Sequence, residues 1–217
     1  MNKKILCLNG WGQEPKTLEN AFKEVFKDDD ISTIDYLDTY DVVIGWSYGS
    51  QQAIKKIESG FLRTKLLILI APIFQFVENE TNKVGMPKEM FDYFLVGFKN
   101  DPKAIMQQLI KMSASCDKNA DLVFDKMKIQ DLNVLSCYAL EKQLLHLKDF
   151  SCFDVNFKKF PKTICFSGAN DEVVNTSQAR LFAERIKTFE LHIIENCGHA
   201  PHFSHMEEIE KVLKNFI

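Results

Sequence analysis

Apolar residues along this chain come in short unbroken runs, separated by stretches with helical spacing. Lys4 to Leu8 is the first run, and it stops abruptly at Asn9-Gly10-Trp11-Gly12, which predicts a strand entering a tight loop. Residues 16 to 27 place Leu18, Phe22, Val25 and Phe26 on one helical face, and short strands are expected near Ile31 to Leu37 and at Asp41 to Gly45. Helical spacing returns over residues 48 to 59 through Ala53, Ile54 and Ile57. Gly60 ends it, and Lys65 to Ile70 is another continuous apolar strand, stopped by Ala71 and Pro72. Strands that are apolar at every position need cover on both faces, so the alternation implies a buried, mostly parallel sheet of the α/β class.

From Ile73 to Phe153 the pattern changes to helical segments rich in Phe, Met and Leu, with no convincing strand. Alternation then resumes with a strand at Lys162 to Ser167, a helix near Thr176 to Ile186, a strand at Glu190 to Ile194 and a last helix from Glu207 to Phe216. The expected organisation is a core formed by 1–72 and 154–217, interrupted by a helical lid at 73–153. The acidic run Asp28 to Asp30 is expected to be a solvated turn.

The 217 residues suit one domain carrying an insertion, and therefore one active site, working as a monomer. Lys+Arg 27 against Asp+Glu 30 leaves no positive surplus for a phosphate backbone, so nucleic acid is not an expected partner. Arginine occurs only at Arg63, Arg180 and Arg185, which leaves most anion binding to lysine. The six cysteines show no close pairing, Cys7 and Cys165 lie in apolar runs, and MNKKILCLNG leads straight into a strand. A reducing cytoplasm is the expected setting. No apolar run approaches the roughly 18 residues of a membrane span, so no membrane association is expected.

Gly45-Trp46-Ser47-Tyr48-Gly49 is a G-x-S-x-G segment at a strand-to-helix junction, the context in which this motif exposes a nucleophilic serine on a strained turn. A serine hydroxyl needs a base within hydrogen-bond reach and a third group to orient that base. His199, in the loop Asn196-Cys197-Gly198-His199-Ala200-Pro201 after the last strand, is the expected base, ahead of His202 and His205 at a helix entry. Asp171, in Gly168-Ala169-Asn170-Asp171-Glu172 after the preceding strand, is the expected orienting group, with Glu172 as the local alternative. The order Ser, Asp, His is that of α/β-hydrolases. The backbone N–H groups of Tyr48 and Trp11 are the expected oxyanion donors. This chemistry requires neither a metal nor an organic cofactor.

These segments resemble the carboxylesterase family that includes the pimeloyl-acyl carrier protein methyl ester esterases of biotin synthesis. The likeness lies in Asn9-Gly10-Trp11-Gly12, Gly45-Trp46-Ser47-Tyr48-Gly49, Gly168 to Val174, and Gly198-His199-Ala200-Pro201 followed by Ser204-His205. It implies an α/β-hydrolase fold and hydrolysis of a small acyl ester, with pimeloyl-acyl carrier protein methyl ester as the expected substrate and acyl carrier protein as the partner. General short-chain esterase, thioesterase and triad-dependent lyase chemistry remain alternatives on the same fold, with a non-catalytic acyl-ligand receptor further off. Two departures stand out. Asn9 replaces the usual histidine before Gly-Trp-Gly, and little sequence separates that loop from Ser47. Two customary N-terminal antiparallel strands and one helix are therefore expected to be missing, leaving a trimmed sheet of about six strands. In the lid, Phe91, Phe94, Met106 and Leu109 are candidates to line an acyl channel. Arginine, prominent in the family's lid, is absent between residues 75 and 152, where ten lysines face eleven acidic residues. Any patch for an acidic carrier must then come from lysines such as Lys99, Lys103 and Lys111.

Overall fold

A computed structural model describes residues 2–127 and 136–217; the part of the expected lid at 128–135 lies outside the described residues. Six strands form one sheet: β1 (Lys4–Leu8), β2 (Asp30–Ser32), β3 (Thr39–Trp46), β4 (Arg63–Ile70), β5 (Lys162–Gly168) and β6 (Phe189–Ile194). Their order is β2-β1-β3-β4-β5-β6 and every neighbouring pair is parallel, so the trimmed six-strand sheet is present. Successive side chains alternate between faces. Ile5, Cys7, Val42, Ile44, Ile68 and Ile70 pack on one side, and Leu6, Leu8, Val43, Leu67, Leu69 and Cys165 on the other.

The first face is covered by α1 (Thr17–Phe22) through Leu18 and Phe22, and by α9 (Met206–Leu213) through Ile209 and Leu213. The opposite face is covered by α2 (Tyr48–Glu58) through Ala53 and Ile54, and by α7 (Ser177–Ala183) through Ala179 and Phe182. Between β4 and β5 lie α3 (Lys88–Asn100), α4 (Pro102–Ala114), α5 (Ala120–Met127) and α6 (Cys137–Asp149); a short α8 (Pro201–Ser204) precedes α9. Asp101 separates α3 from α4: its carboxylate accepts the Ala104 N–H at 2.9 Å, with Pro102 at the first helical position. These inserted helices are not a detached cap. Ile110 and Ala114 of α4, with Val123 and Met127 of α5, join the cluster on the first face of the sheet.

Two expected elements are shorter than their apolar patterns. Helix α1 ends at Phe22 instead of residue 27, because the chain must turn back to the start of β1, where Asp29 accepts the Lys3 N–H at 2.8 Å and Asp30 N–H bonds Lys3 O at 2.9 Å. The Asp28 to Asp30 run is thus tied to β1, with Asp30 also paired to Lys4, and is not simply solvated. Strand β2 stops at Ser32, whose hydroxyl accepts the Ile34 N–H and donates to Ile34 O, turning the chain. Among the described residues no helix is long and apolar enough to cross a membrane.

The strand order reverses between β1 and β3, so the loops after these two strands splay apart at the carboxyl edge and leave a crevice there. Gly49, on the first turn of α2, sits directly on the end of β1: a Cβ there would overlap the Leu8 carbonyl and approach Asn9 O to 2.8 Å. Gly49→Ala is expected to destabilise the protein by about 3 kcal/mol or more, since backbone cannot move aside as a side chain can. A urea midpoint within error of the parent, at unchanged slope, would show that the crossing tolerates a methyl group.

Candidate active site

Ser47 lies between β3 and α2 with φ 53° and ψ −116°, a conformation that non-glycine residues rarely adopt. The turn is held by its surroundings. Ser47 N–H donates to Ile70 O at 2.9 Å, while the Ser50 hydroxyl donates to Ser47 O and accepts the Ile73 N–H at 3.2 Å. Ser47 Oγ then lies 2.9 Å from His199 Nε2, and His199 Nδ1 lies 2.8 Å from Asp171 Oδ2. The other Asp171 oxygen accepts the N–H groups of Val173 and Val174, each at 2.8 Å, which fixes the carboxylate plane. Three residues separated by up to 152 positions form one hydrogen-bonded chain, with the Asp171 carboxylate fully buried and His199 nearly so.

The alternatives weighed in the sequence fall elsewhere. Glu172 turns away from the histidine and accepts the Ser115 hydroxyl at 2.6 Å and the Cys116 thiol at 3.2 Å, contacts that lower its pKa. His202 is buried against Trp46, ring centroids 4.5 Å apart, with neither ring nitrogen hydrogen-bonded among the described residues, and desolvation pushes its pKa down to about 3. His205 Nδ1 is 2.7 Å from Ser204 Oγ.

Of the two expected oxyanion donors, neither Trp11 N–H nor Tyr48 N–H has a hydrogen-bond partner among the described residues. Gly12, at φ 71°, reverses the chain just after Trp11, whose indole N–H donates to Leu140 O of α6 at 2.9 Å while its ring meets Phe98 edge-on at 5.3 Å. Asn9, the departure from the usual histidine, braces this loop from outside: its side chain donates to Pro15 O and accepts the Leu18 N–H.

Sequence reasoning missed what holds the His199 loop. Asp117, buried in the turn between α4 and α5, accepts the Gly198 N–H at 3.0 Å, the Ser204 hydroxyl at 2.7 Å and the Asn119 N–H at 2.8 Å. His199 N–H itself donates to Ser113 O of α4 at 3.1 Å, and the Trp46 indole donates to His199 O at 3.1 Å. Asp117, Cys197 and His205 bring potential ligand atoms within 4.8 Å of one another. Ser204 links these groups by hydrogen bonds, and burial pushes the Cys197 thiol far up.

Ser47 and His199 open onto a cavity of about 530 Å³, walled largely by apolar side chains from Trp11, Phe76, the insertion and Val173. Of the expected acyl-channel residues, Phe94 and Leu109 line it, but Phe91 and Met106 do not. Phe91 is wholly buried edge-on to Phe76, and Met106 is wedged against Gly12, 3.0 Å from where a Cβ would stand. Both point to the packed side of their helices.

Residues 10–212 match the alpha/beta hydrolase family. The chain belongs to that family. This hydrolase is 26% identical over 189 residues to a biotin biosynthesis bifunctional protein of Teredinibacter turnerae, a match covering 81% of the chain and 32% of that protein. It is 24% identical over 171 residues to a pimeloyl-[acyl-carrier protein] methyl ester esterase of Nitrosospira multiformis, covering 77% of the chain and 64% of the relative. A namesake of the latter from Aromatoleum aromaticum is 24% identical over 183 residues, 81% of the chain and 73% of the relative. The hydrolase thus spans about a third and just under two thirds of the first two relatives. Among solved structures, an esterase from Exiguobacterium antarcticum superposes with TM-score 0.82 at 17% identity, covering 99% of the chain and 91% of its own. A bromoperoxidase from Bacillus anthracis gives 0.83 at 15% identity, covering 100% and 92%, so these two share the fold.

Two outcomes follow from the buried polar groups. Asp117→Ala leaves the Gly198 N–H without an acceptor and should lower stability by about 1–3 kcal/mol, with Asp117→Asn, which retains an acceptor, nearer the parent in urea unfolding. Equal losses would mean that charge, not acceptance, is what the loop needs. For His202, the unfolded chain takes up a proton below about pH 6.5 that the folded protein refuses until about pH 3. Its neutral burial therefore stabilises above pH 6.5 and that contribution drains away as pH falls, by roughly 2 kcal/mol between pH 7 and pH 5. Denaturant unfolding at the two pH values should show this loss in the parent and a clearly smaller one in His202→Phe.

Proposed function

We propose that this hydrolase is a serine carboxylesterase, and the observation that carries the reading is the Ser47–His199–Asp171 hydrogen-bonded chain opening onto an apolar cavity. His199 Nε2 takes the Ser47 proton as Oγ attacks the ester carbonyl, and Asp171 holds the ring and offsets the charge it gains. The N–H groups of Trp11 and Tyr48 face the oxygen that becomes negative in the tetrahedral intermediate. The alcohol leaves with the proton from His199, giving an acyl-serine. Water then attacks, His199 again acting as base, and the acid is released. In this reading the core at 1–72 and 154–217 carries the chemistry and the insertion at 73–153 acts as a lid supplying most of the acyl wall, with Phe94 and Leu109 among its lining.

The substrate we assign is a methyl ester of a dicarboxylic acyl chain on acyl carrier protein, as in the names of the relatives. The apolar wall suits the methylene chain. For the acidic carrier, Lys103 and Lys111 on α4 are exposed and, among the described residues, in no ion pair, while Lys99 is engaged with Glu141 at 3.0 Å. The enzyme acts in the cytoplasm as a monomer.

Intact-mass analysis after fluorophosphonate treatment should give single labelling at Ser47, absent in Ser47→Ala and strongly slowed in His199→Ala. Methanol release from the methyl ester of a pimeloyl thioester should fall by at least about 10³-fold in either variant. A folded parent that neither labels nor releases methanol would defeat the esterase reading; labelling without methanol release would leave the esterase and remove the substrate.

A further inference from the structure

The cavity beside Ser47 has an unusual charge inventory. Among its described lining residues there is no lysine and no arginine, and one carboxylate, Glu172. That carboxylate stands at the solvent-exposed rim of the cavity, where Ser115 and Cys116, from the turn between α4 and α5, donate to its two oxygens at 2.6 and 3.2 Å and favour its ionised form. A space of 530 Å³, taken as a sphere, is only about 10 Å across. Every point in it therefore lies within roughly one Debye length of Glu172 at 0.1 M salt. The neighbouring carboxylate, Asp171, which accepts from two backbone N–H groups and bonds His199, carries charge of the same sign.

We propose that Glu172 is a charge filter: it disfavours ligands bearing a free carboxylate, so that the site admits neutral esters and expels the acid it forms. Hydrolysis converts an uncharged ester and water into an alcohol, a carboxylate and a proton, so the net charge of the bound acyl group changes from zero to minus one at the step that should be irreversible. Before that step Glu172 has no charge to oppose. Afterwards, repulsion and an apolar wall that cannot solvate an anion act together. The filter also sorts substrates: an acyl chain carrying a free acid at its far end meets the same repulsion, whereas the diester or the carrier-linked monoester does not. The kinetic side of this inference rests on the esterase reading; the binding side does not.

The two tryptophans of the chain, Trp11 and Trp46, both line the cavity, so intrinsic fluorescence reports its occupancy without any turnover. Hexanoate and hexanamide would be titrated into the parent and Glu172→Gln, and kcat/KM measured for monomethyl and dimethyl adipate. The filter requires the preference for amide over carboxylate, and for diester over monoester, to shrink by about two- to threefold in Glu172→Gln. Raising NaCl from 20 mM to 500 mM should shrink the same preferences in the parent and have less effect in the variant. Preferences unmoved by both the substitution and salt would overturn the proposal. Esters hydrolysed with unmoved preferences leave the esterase and remove the filter. A shifted binding preference with neither ester hydrolysed leaves the filter and removes the esterase.

Discussion

Helix α2 starts so close to the end of β1 that the Gly49 α-carbon has room for hydrogen alone beside the Leu8 carbonyl. This crossing sets the position of everything at the carboxyl edge. It brings the loop after β1, with the Trp11 N–H, beside the loop after β3, with Ser47 and the Tyr48 N–H. It also forces the reversal that puts Ser47 at φ 53°. A conformation of that kind costs on the order of 1–3 kcal/mol and persists only where neighbours over-determine it. Here the neighbours are Ile70 O, which receives the Ser47 N–H, and the Ser50 hydroxyl, which ties Ser47 O to the backbone of Ile73.

Much of this was legible in the chain because it depends on local pattern. Continuous apolar runs located β1, β3, β4 and β5, since a strand buried on both faces has no polar positions to break its run. The glycines of Gly45-Trp46-Ser47-Tyr48-Gly49 betray the crossing, and the order of Ser47, Asp171 and His199 places each after a strand, on the same edge of a parallel sheet. Chain order is informative there because every parallel strand ends at that edge.

What was not legible depends on contacts between distant segments. No local signal in Ser115-Cys116-Asp117 connects that turn to Gly198, 81 residues on, because a carboxylate accepting backbone N–H groups leaves no periodicity. Phe91 and Phe94 look equivalent in sequence; only the packing of α3 against its neighbours turns one into the cluster with Phe76 and the other onto the cavity. Helix α1 fell short of its apolar pattern for a related reason: the tie of Asp29 and Asp30 to the start of β1 overrides local propensity.

The two halves of the site are gripped by different parts of the molecule. Ser47 is fixed by the sheet and by α2, whereas the His199 loop hangs from the insertion through Ser113 O and the Asp117 carboxylate. The 2.9 Å contact between Ser47 and His199 therefore draws support both from the core, through the Trp46 indole and the Asn170 N–H, and from α4 and α5, which Ile110, Ala114, Val123 and Met127 anchor on the sheet. A rigid lift of the whole insertion would break the Ser113 and Asp117 bonds that help to position the histidine. Any movement that widens the cavity yet leaves His199 in place has to be carried by α3 and α6. They meet the site through the apolar cluster around Trp11 and the indole bond to Leu140 O, contacts that do not involve the serine, histidine or aspartate.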